Sequence, residues 1–249
     1  IKSSAASDVY KRQIKQKKGK NDAARAKVFT KIGRELIVAI REGGSADPSV
    51  NSKLKDCIAK AKANNVPNDN IERIIKKAAS GGDGANYEAV TYEGYGPNGV
   101  AVIVEALTDN RNRTAGEVRH YFDKFGGNMG TQGCVSFMFT KKGVLVIERE
   151  DLDKDEDTVM SDALEYGASD FEADEDVFTI YTEPEDFSAV RDDLEKAGYT
   201  FVSAELEMVP STYTKIDDED NKTKMQKMLD MFEDNDDIQN VWHNWEMED

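Results

Sequence analysis

The chain has 249 residues, a formal net charge of −16 and 39% hydrophobic residues. It contains no apolar run long enough to cross a bilayer, and its first residues lack an apolar signal core, so we expect a cytoplasmic rather than a membrane or secreted protein. Two cysteines, Cys57 and Cys134, are too few for a disulfide framework or a four-thiolate zinc site.

Charge is unevenly distributed along the chain. Residues 1–82 hold 19 Lys and Arg against 8 Asp and Glu, residues 83–142 hold 6 against 7, and residues 143–249 hold 8 against 34. A basic head on an acidic body favours contact with a polyanion at one end. The alternative is that the basic and acidic parts attract each other or are simply solvated, and charge alone leaves both open.

The segment Lys20–Glu42 has the pattern of an amphipathic helix. Apolar residues recur at steps of three and four between Val28 and Ile40, and Gly43-Gly44 ends the helix. Four cations lie within about 80° of one another on the opposite side of the helical wheel. We call them the basic stripe: Lys27, Lys31, Arg34 and Arg41. A linear row of cations can follow the phosphates of a nucleic acid.

Two further amphipathic helices are predicted before residue 82. Asp47-Pro48 has the pattern of an N-cap followed by a first-turn proline, with Val50 and Leu54 on the apolar face. The third helix carries Ile71, Ile74, Ile75 and Ala78 and stops at Ser80-Gly81-Gly82. Together the three helices predict a small helical domain.

A basic, weakly patterned segment precedes these helices, at residues 11–18. It is typical of an arm that becomes ordered on a phosphate backbone, or of a solvated leader with no role. With the helices and the middle of the chain, it supplies the candidate nucleic-acid contacts. These are Lys15, Lys17, Lys18, Lys20, Lys27, Lys31, Arg34, Arg41, Lys53, Lys55, Arg111, Arg113 and Arg119.

Residues 83–142 predict mixed structure. Strands are expected at 88–93 and 99–106, then a helix that follows Thr108-Asp109-Asn110 and runs through Phe125, then a strand from Cys134 to Phe139. The turn at residues 94–99 matches the G-x-G-x-x-G pattern of dinucleotide-binding proteins. We reject that interpretation because no helix opens after the turn and Pro97 lacks an amide hydrogen.

Residues 143–209 predict a separate acidic domain with the β-α-β-β-α-β order of a ferredoxin-like fold. The expected elements are a strand at 144–148, a helix at 155–166, strands at 170–173 and 176–182, a helix at 185–197 and a strand at 200–208. Acidity argues against a nucleic-acid contact there and favours either a protein partner or the exclusion of wrong surfaces by repulsion. The alternating aspartates from Asp151 to Asp157 lack the glycine and the final glutamate of a calcium loop.

The last part of the chain predicts a helix within 216–235 and a strand-like stretch at 238–245. Trp242 and Trp245 on that stretch are expected in a core or an interface, because acidic residues surround them.

No catalytic motif is present. The two histidines, His120 and His243, lie in no pattern with a serine or cysteine nucleophile, and no phosphate-binding loop or metalloprotease motif occurs. We therefore expect no enzyme, no cofactor, no metal and no small-molecule substrate. A hydrolase with an unrecognised site would instead depend on His120 or Asp109.

Several segments resemble the YebC/PmpR family. They include Lys27-Val28-Phe29-Thr30-Lys31, Arg41-Glu42-Gly43-Gly44, Asn70-Ile71-Glu72-Arg73, Tyr92-Glu93-Gly94-Tyr95-Gly96-Pro97 and, most specifically, Thr108-Asp109-Asn110-Arg111-Asn112-Arg113-Thr114 with Glu117-Val118-Arg119. The resemblance runs from about Ile14 to the end of the chain. At residues 7–11 the family usually has Gly-His-Ser-Lys-Trp where this chain has Ser-Asp-Val-Tyr-Lys, and at Cys134 it commonly has serine.

The resemblance implies an α+β protein of three domains. After an atypical and possibly foreign leader at 1–13 come a basic helical domain at 14–82, a discontinuous α+β domain at 83–142 plus 210–249, and the acidic ferredoxin-like domain at 143–209 inserted into it. Members are mostly described as DNA-binding transcriptional regulators. Mitochondrial relatives are translational activators, and bacterial relatives are also linked to the ribosome.

The resulting hypothesis is a DNA-binding transcriptional regulator that uses its basic head. A ribosome-associated translation factor that binds ribosomal RNA through the same head is the first alternative, because both targets present phosphates. The second alternative is a protein-interaction scaffold that uses the acidic domains. The chain has no recognisable helix-turn-helix pattern to favour sequence-specific DNA contact.

Overall fold

The computed structural model describes residues 22–81, 86–150 and 152–247. These residues divide into two compact units. The larger unit comprises residues 22–140 and 210–246, and the second, which we call the acidic unit, is Lys141–Val209 together with Met247. None of the described helices is long and apolar enough to cross a membrane.

Three helices come first, and a mixture of helices and mainly antiparallel strands follows, which confirms the expected α+β class. In chain order the helices are α1 Asp22–Gly43, α2 Ser52–Ala63, α3 Asn68–Ala79, α4 Arg111–Lys124, α5 Glu156–Glu165, α6 Phe187–Lys196 and α7 Glu219–Asp234. The strands are β1 Glu88–Tyr95, β2 Ala101–Thr108, β3 Asn128–Met129, β4 Phe139–Glu148, β5 Asp170–Ala173, β6 Val177–Thr182, β7 Ser203–Pro210, β8 Thr214–Lys215, β9 Ile238–His243 and β10 Trp245–Glu246.

The first three helices pack around one apolar core. Ile32 and Leu36 of α1 meet Leu54 of α2 and Ile71 of α3, and each of these side chains is at most 4% exposed. The apolar periodicity in the sequence therefore identified the core faces of α1 and α3 correctly, and in α2 it identified Leu54 but not the position of Val50. Cys57 packs against the same core.

The start of the second helix was predicted wrongly. Asp47-Pro48 forms a turn in which the Asp47 carboxylate accepts a hydrogen bond from the Ser49 amide. The N-cap is Asn51, whose Oδ1 accepts from the Leu54 amide while its Nδ2 donates to the carbonyls of Ala39 and Ser45. Because the helix begins after Val50, that side chain is 73% exposed rather than part of the core.

A four-stranded sheet with the order β3-β1-β2-β9 forms the centre of the larger unit. The pairs β1–β2, β1–β3 and β2–β9 are antiparallel. Helices α4 and α7 pack together beside it, with the rings of Phe122 and Phe232 5.3 Å apart. The carboxy-terminal residues thus complete the sheet that β1 and β2 begin.

The strand expected from Cys134 to Phe139 was also wrong. Residues 130–135 form turns, Ser136–Met138 is a short 3-10 helix, and β4 begins only at Phe139. The Glu93 carboxylate accepts hydrogen bonds from the amides of Gly133, Val135 and Ser136. These donors are used by a side chain, so they are not available to a strand ladder.

The acidic unit has the ferredoxin-like arrangement. Its sheet has the order β5-β6-β4-β7, with β6 antiparallel to both β4 and β5. Leu145, Phe178, Phe187 and Leu194 are fully or almost fully buried in its own core. The element order β4-α5-β5-β6-α6-β7 agrees with the sequence-based expectation.

Candidate nucleic-acid interface

The basic stripe lies against the acidic carboxy-terminal end of α7. Lys27 Nζ lies 2.7 Å from a carboxylate oxygen of Asp234 and 3.2 Å from the carbonyl oxygen of the same residue. Lys31 Nζ donates to the carbonyl of Glu233 at 2.8 Å. Cations at this position satisfy helix carbonyls that have no partner within the helix, and they complement the helix dipole.

The remaining stripe cations contact the sheet edge and the segment before it. Arg34 donates to a carboxylate oxygen of Asp237 at 2.6 Å and to the carbonyls of Asp236 and Leu107 at 2.9 and 3.2 Å. Its guanidinium also lies 5.0 Å from the centre of the Tyr87 ring. Arg41 donates to Asn86 Oδ1 at 2.7 Å and to the Tyr87 carbonyl. The whole stripe therefore has partners within the larger unit.

Asp237 is the centre of this contact and is only 5% exposed. One carboxylate oxygen accepts from Arg34, and the other accepts from Arg113 at 2.6 Å and from the Thr114 hydroxyl at 2.8 Å. Burial by itself would raise the pKa of Asp237. The hydrogen bonds from Arg113, Arg34 and Thr114 outweigh burial and lower this pKa to about 2.

The segment 108–114, the most specific part of the family resemblance, builds this network. The Thr108 hydroxyl accepts from the Asn110 amide, and Asn110 in turn caps α4 by accepting from the Arg113 amide at 3.1 Å. Arg113 pairs with both Asp109 and Asp237. Thr108 and Thr114 are fully buried beside the Asp237 carboxylate. The polar motif at 108–114 therefore connects β2 and α4 to Asp237, directly before β9. We call these contacts the joint at Asp237.

One residue in the sequence could have revealed that the stripe is a packed face. Val38 lies four residues after Arg34 and three before Arg41, so it falls within the stripe on the helical wheel. It is 7% exposed. An apolar residue in the middle of a cationic row indicates that the row packs against protein.

The other predicted cations are dispersed. Lys53 is exposed and pairs with Glu42 at 2.7 Å, and Lys55 is exposed on α2. Arg111 and Arg119 are exposed on α4. The predicted contacts Lys15, Lys17, Lys18 and Lys20 lie outside the residues that the structure describes, as does the leader at 1–13.

The outward face of α3 carries three cations that are not among the predicted nucleic-acid contacts. Arg73, Lys76 and Lys77 are all exposed. At about 100° per residue they fall on the side opposite Ile71, Ile74 and Ile75, which face the helical core. Lys62 and Lys55 on α2 are exposed as well. The spacing of these cations on the helical wheel of α3 is visible in the sequence and could have identified this face.

The described residues show no cluster of three or more His, Cys, Asp or Glu side chains that could hold a metal ion. Of the residues named for a hydrolase, Asp109 pairs with Arg113 at 2.9 Å. The other, His120, is exposed on α4. The second histidine of the chain, His243, accepts at Nδ1 from the Trp245 amide at 3.3 Å. These contacts account for Asp109 and His243 in structural terms.

Comparison with known proteins identifies the family. Residues 11–81 match the model of the TACO1/YebC protein N-terminal domain, and residues 87–245 match that of the TACO1/YebC second and third domain. The chain belongs to the TACO1/YebC family. The resemblance noted in the sequence is therefore confirmed.

Relatives of similar length support this assignment. A protein of Acetivibrio thermocellus described as a probable transcriptional regulatory protein is 63% identical, over 93% of this chain and 95% of that one. One of Finegoldia magna with the same description is 60% identical, over 95% and 97%. The crystal structure of a conserved hypothetical protein from Aquifex aeolicus matches with a TM-score of 0.82 at 44% identity, over 92% of this chain and 93% of that one.

Proposed function

We propose that this TACO1/YebC protein is a regulatory protein that binds nucleic acid through the exposed cations of α2 and α3, and that its target is duplex DNA. The observation that carries the proposal is the row Arg73, Lys76 and Lys77 on the side of α3 that faces away from the core. In the basic stripe, Arg34 is largely covered and Lys27 partly covered by their contacts with Asp237 and Asp234 and by the packing of α1, so the stripe is not proposed as the main surface.

Two further facts support the proposal. Seven of the chain's 33 Lys and Arg residues precede residue 22, so the segment before α1 can add phosphate contacts next to the helical domain. The relatives in Acetivibrio thermocellus and Finegoldia magna are described as probable transcriptional regulatory proteins. We therefore propose a transcriptional role with duplex DNA as the target. Ribosomal RNA is the alternative target.

The test replaces Arg73, Lys76 and Lys77 together with glutamine. Because each lost phosphate contact removes about 0.9 from the slope of log K against log salt, we expect the slope for duplex DNA to fall by about 2 to 3. The measurement is a fluorescence-anisotropy titration at several salt concentrations. The matched control is Lys215, Lys224 and Lys227 to glutamine in the same unit, which should leave the slope unchanged.

The outcomes separate the candidates. An unchanged salt slope in the α3 variant contradicts the proposal that this surface binds DNA. Tighter binding of a ribosomal RNA hairpin than of duplex DNA, at equal salt and with the same dependence on the α3 cations, favours the translation factor instead.

A protein partner for the acidic unit remains a second proposal. Residues 143–209 hold 22 Asp and Glu against 4 Lys and Arg, and Met160, Leu164 and Tyr166 of this unit are exposed at 39%, 52% and 36%. An apolar group within an acidic surface suits a basic, partly apolar segment of another protein.

A further inference from the structure

Phe137 is a large aromatic side chain that is exposed to solvent outside the cationic surface. It exposes 76% of its surface and lies on the short 3-10 helix Ser136–Met138 that follows the turns at 130–135. A large aromatic side chain gains free energy when it leaves water, so its exposure on an ordered loop suggests a binding role.

The loop is held from the sheet side by a buried carboxylate. Glu93 on β1 is 4% exposed, and its two oxygens accept from the amides of Gly133, Val135 and Ser136 at 2.8 to 2.9 Å. The carbonyl of Glu93 accepts from the Gly130 amide at 2.8 Å. The residue directly before Phe137 is therefore fixed.

The residue directly after Phe137 is fixed as well. The carbonyl of Met138 accepts from the amide of Ser211 at 2.8 Å and from its hydroxyl at 3.0 Å. Tyr95, which is 37% exposed, donates its hydroxyl to the Cys134 carbonyl at 3.1 Å. The backbone on both sides of Phe137 is thus ordered before any ligand arrives, which reduces the entropy lost on binding.

The local charge is unusual for this protein. Within the larger unit, the stretch from Lys124 to Thr140 contains no Asp or Glu, although the chain has 49 of them, and the Glu93 carboxylate that contacts this stretch is buried. A phosphate backbone can approach such a stretch without repulsion, whereas most of the acidic carboxy-terminal half repels it.

We propose that Phe137 stacks on an unpaired base of the bound nucleic acid. Aromatic side chains stack on bases in a way that tolerates sequence, because every base has a π face. The exposed neighbours in the sequence, Thr131, Gln132 and Thr140, are polar, and the exposed side chain bonded to this loop, Tyr95, is an aromatic ring with a polar hydroxyl. A protein-binding anchor would be expected to lie among apolar residues, so the surroundings favour a base.

This inference rests on the proposed nucleic-acid function and adds a preference for single-stranded regions to it. The test uses one hairpin, in DNA and in RNA form, with and without a short single-stranded extension. We expect Phe137→Ala to weaken binding of the extended hairpin about tenfold, to leave the blunt hairpin unchanged and to keep the salt slope. Phe137→Trp should retain affinity, and its added fluorescence should be quenched by the extended probe.

Val50→Ala is the matched control, since Val50 is another exposed apolar side chain, at 73%. It should bind both probes like the original protein. If the original protein binds neither hairpin, the proposed function fails and stacking fails with it. If the original protein binds the extended hairpin and Phe137→Ala binds it equally well, only the stacking proposal is wrong. An unquenched Phe137→Trp signal at saturation contradicts it too, and points to a protein partner for the loop.

Discussion

Asp237 joins two arginines that are far apart in the sequence, Arg34 of α1 and Arg113 of α4, at 2.6 Å each. Removing the charge of Asp237 would leave both guanidinium groups facing a neutral side chain. The guanidinium of Arg34 is largely buried. We therefore expect Asp237→Asn to lower the free energy of unfolding by about 3 kcal/mol, in the range found when one partner of a buried pair is removed. Urea unfolding at neutral pH measures this.

The control at the residue scale is Asp234→Asn. Asp234 pairs with Lys27, but its side chain is 78% exposed, so the expected loss is below about 1 kcal/mol.

Acid should reduce the difference in the free energy of unfolding between Asp237→Asn and the original protein. The pKa of Asp237 is about 2 in the folded state and about 4 in the unfolded state, so its stabilisation is present above about pH 4 and is lost as the pH falls towards 2. A difference that stays constant over that range contradicts the assigned network.

The sequence predicted individual residues less well than it predicted helices. Wheel geometry placed Arg34 and Arg41 on one side of α1 correctly, but it could not show that Asp237, about 200 residues later, completes that side. Contacts between distant segments depend on tertiary packing, which no local period encodes. Glu93 shows the same limit, because its three amide partners lie forty or more residues away.

Capping at the element scale gives a second test. Asn51 caps α2 and also holds the end of α1 through its hydrogen bond to the Ala39 carbonyl, and it is 4% exposed. Asn51→Ala removes the cap and leaves buried carbonyls without their donor, so we expect a loss of about 2 kcal/mol. Asp47→Ala removes only an exposed turn contact and should cost much less. Equal thermal shifts for the two variants, measured by circular dichroism, would restore Asp47 as the cap.

Element prediction succeeded where the hydrophobic period was long. The apolar patterns of α1, α3 and α7 predicted helices there, and the expected order of the acidic unit matches β4 through β7. Element prediction failed at 134–138. Val135, Phe137 and Phe139 alternate with other residues as in a strand, but the buried Glu93 carboxylate accepts hydrogen bonds from the backbone amides of Val135 and Ser136. A buried polar partner can thus override a short local pattern.

At the scale of the whole molecule, the acidic unit interrupts the larger unit at a single place in the chain. The chain leaves the larger unit after Thr140 and returns at Pro210, and the Ser211 amide donates to the Met138 carbonyl at 2.8 Å. A short glycine linker in place of 141–209 should therefore leave the larger unit folded. The excised 139–210 segment, which has its own core, should unfold cooperatively by itself.

Circular dichroism and urea unfolding of both fragments measure this. A deletion of 156–182 provides the control, because it removes α5, β5 and β6 and exposes the core of the acidic unit. That variant should aggregate or lose cooperativity. A larger unit that fails to fold without 141–209 would show that the two units depend on each other for stability.

The joint at Asp237 also constrains how the family can diverge. Because Asp237 compensates Arg34 and Arg113 at once, a change at any one of the three positions leaves charge without its partner in a buried place. Relatives should therefore exchange these three residues together or keep all of them, and an alignment should show them as a covarying triplet. Mutant libraries that sample the three positions independently will consist mainly of unstable proteins.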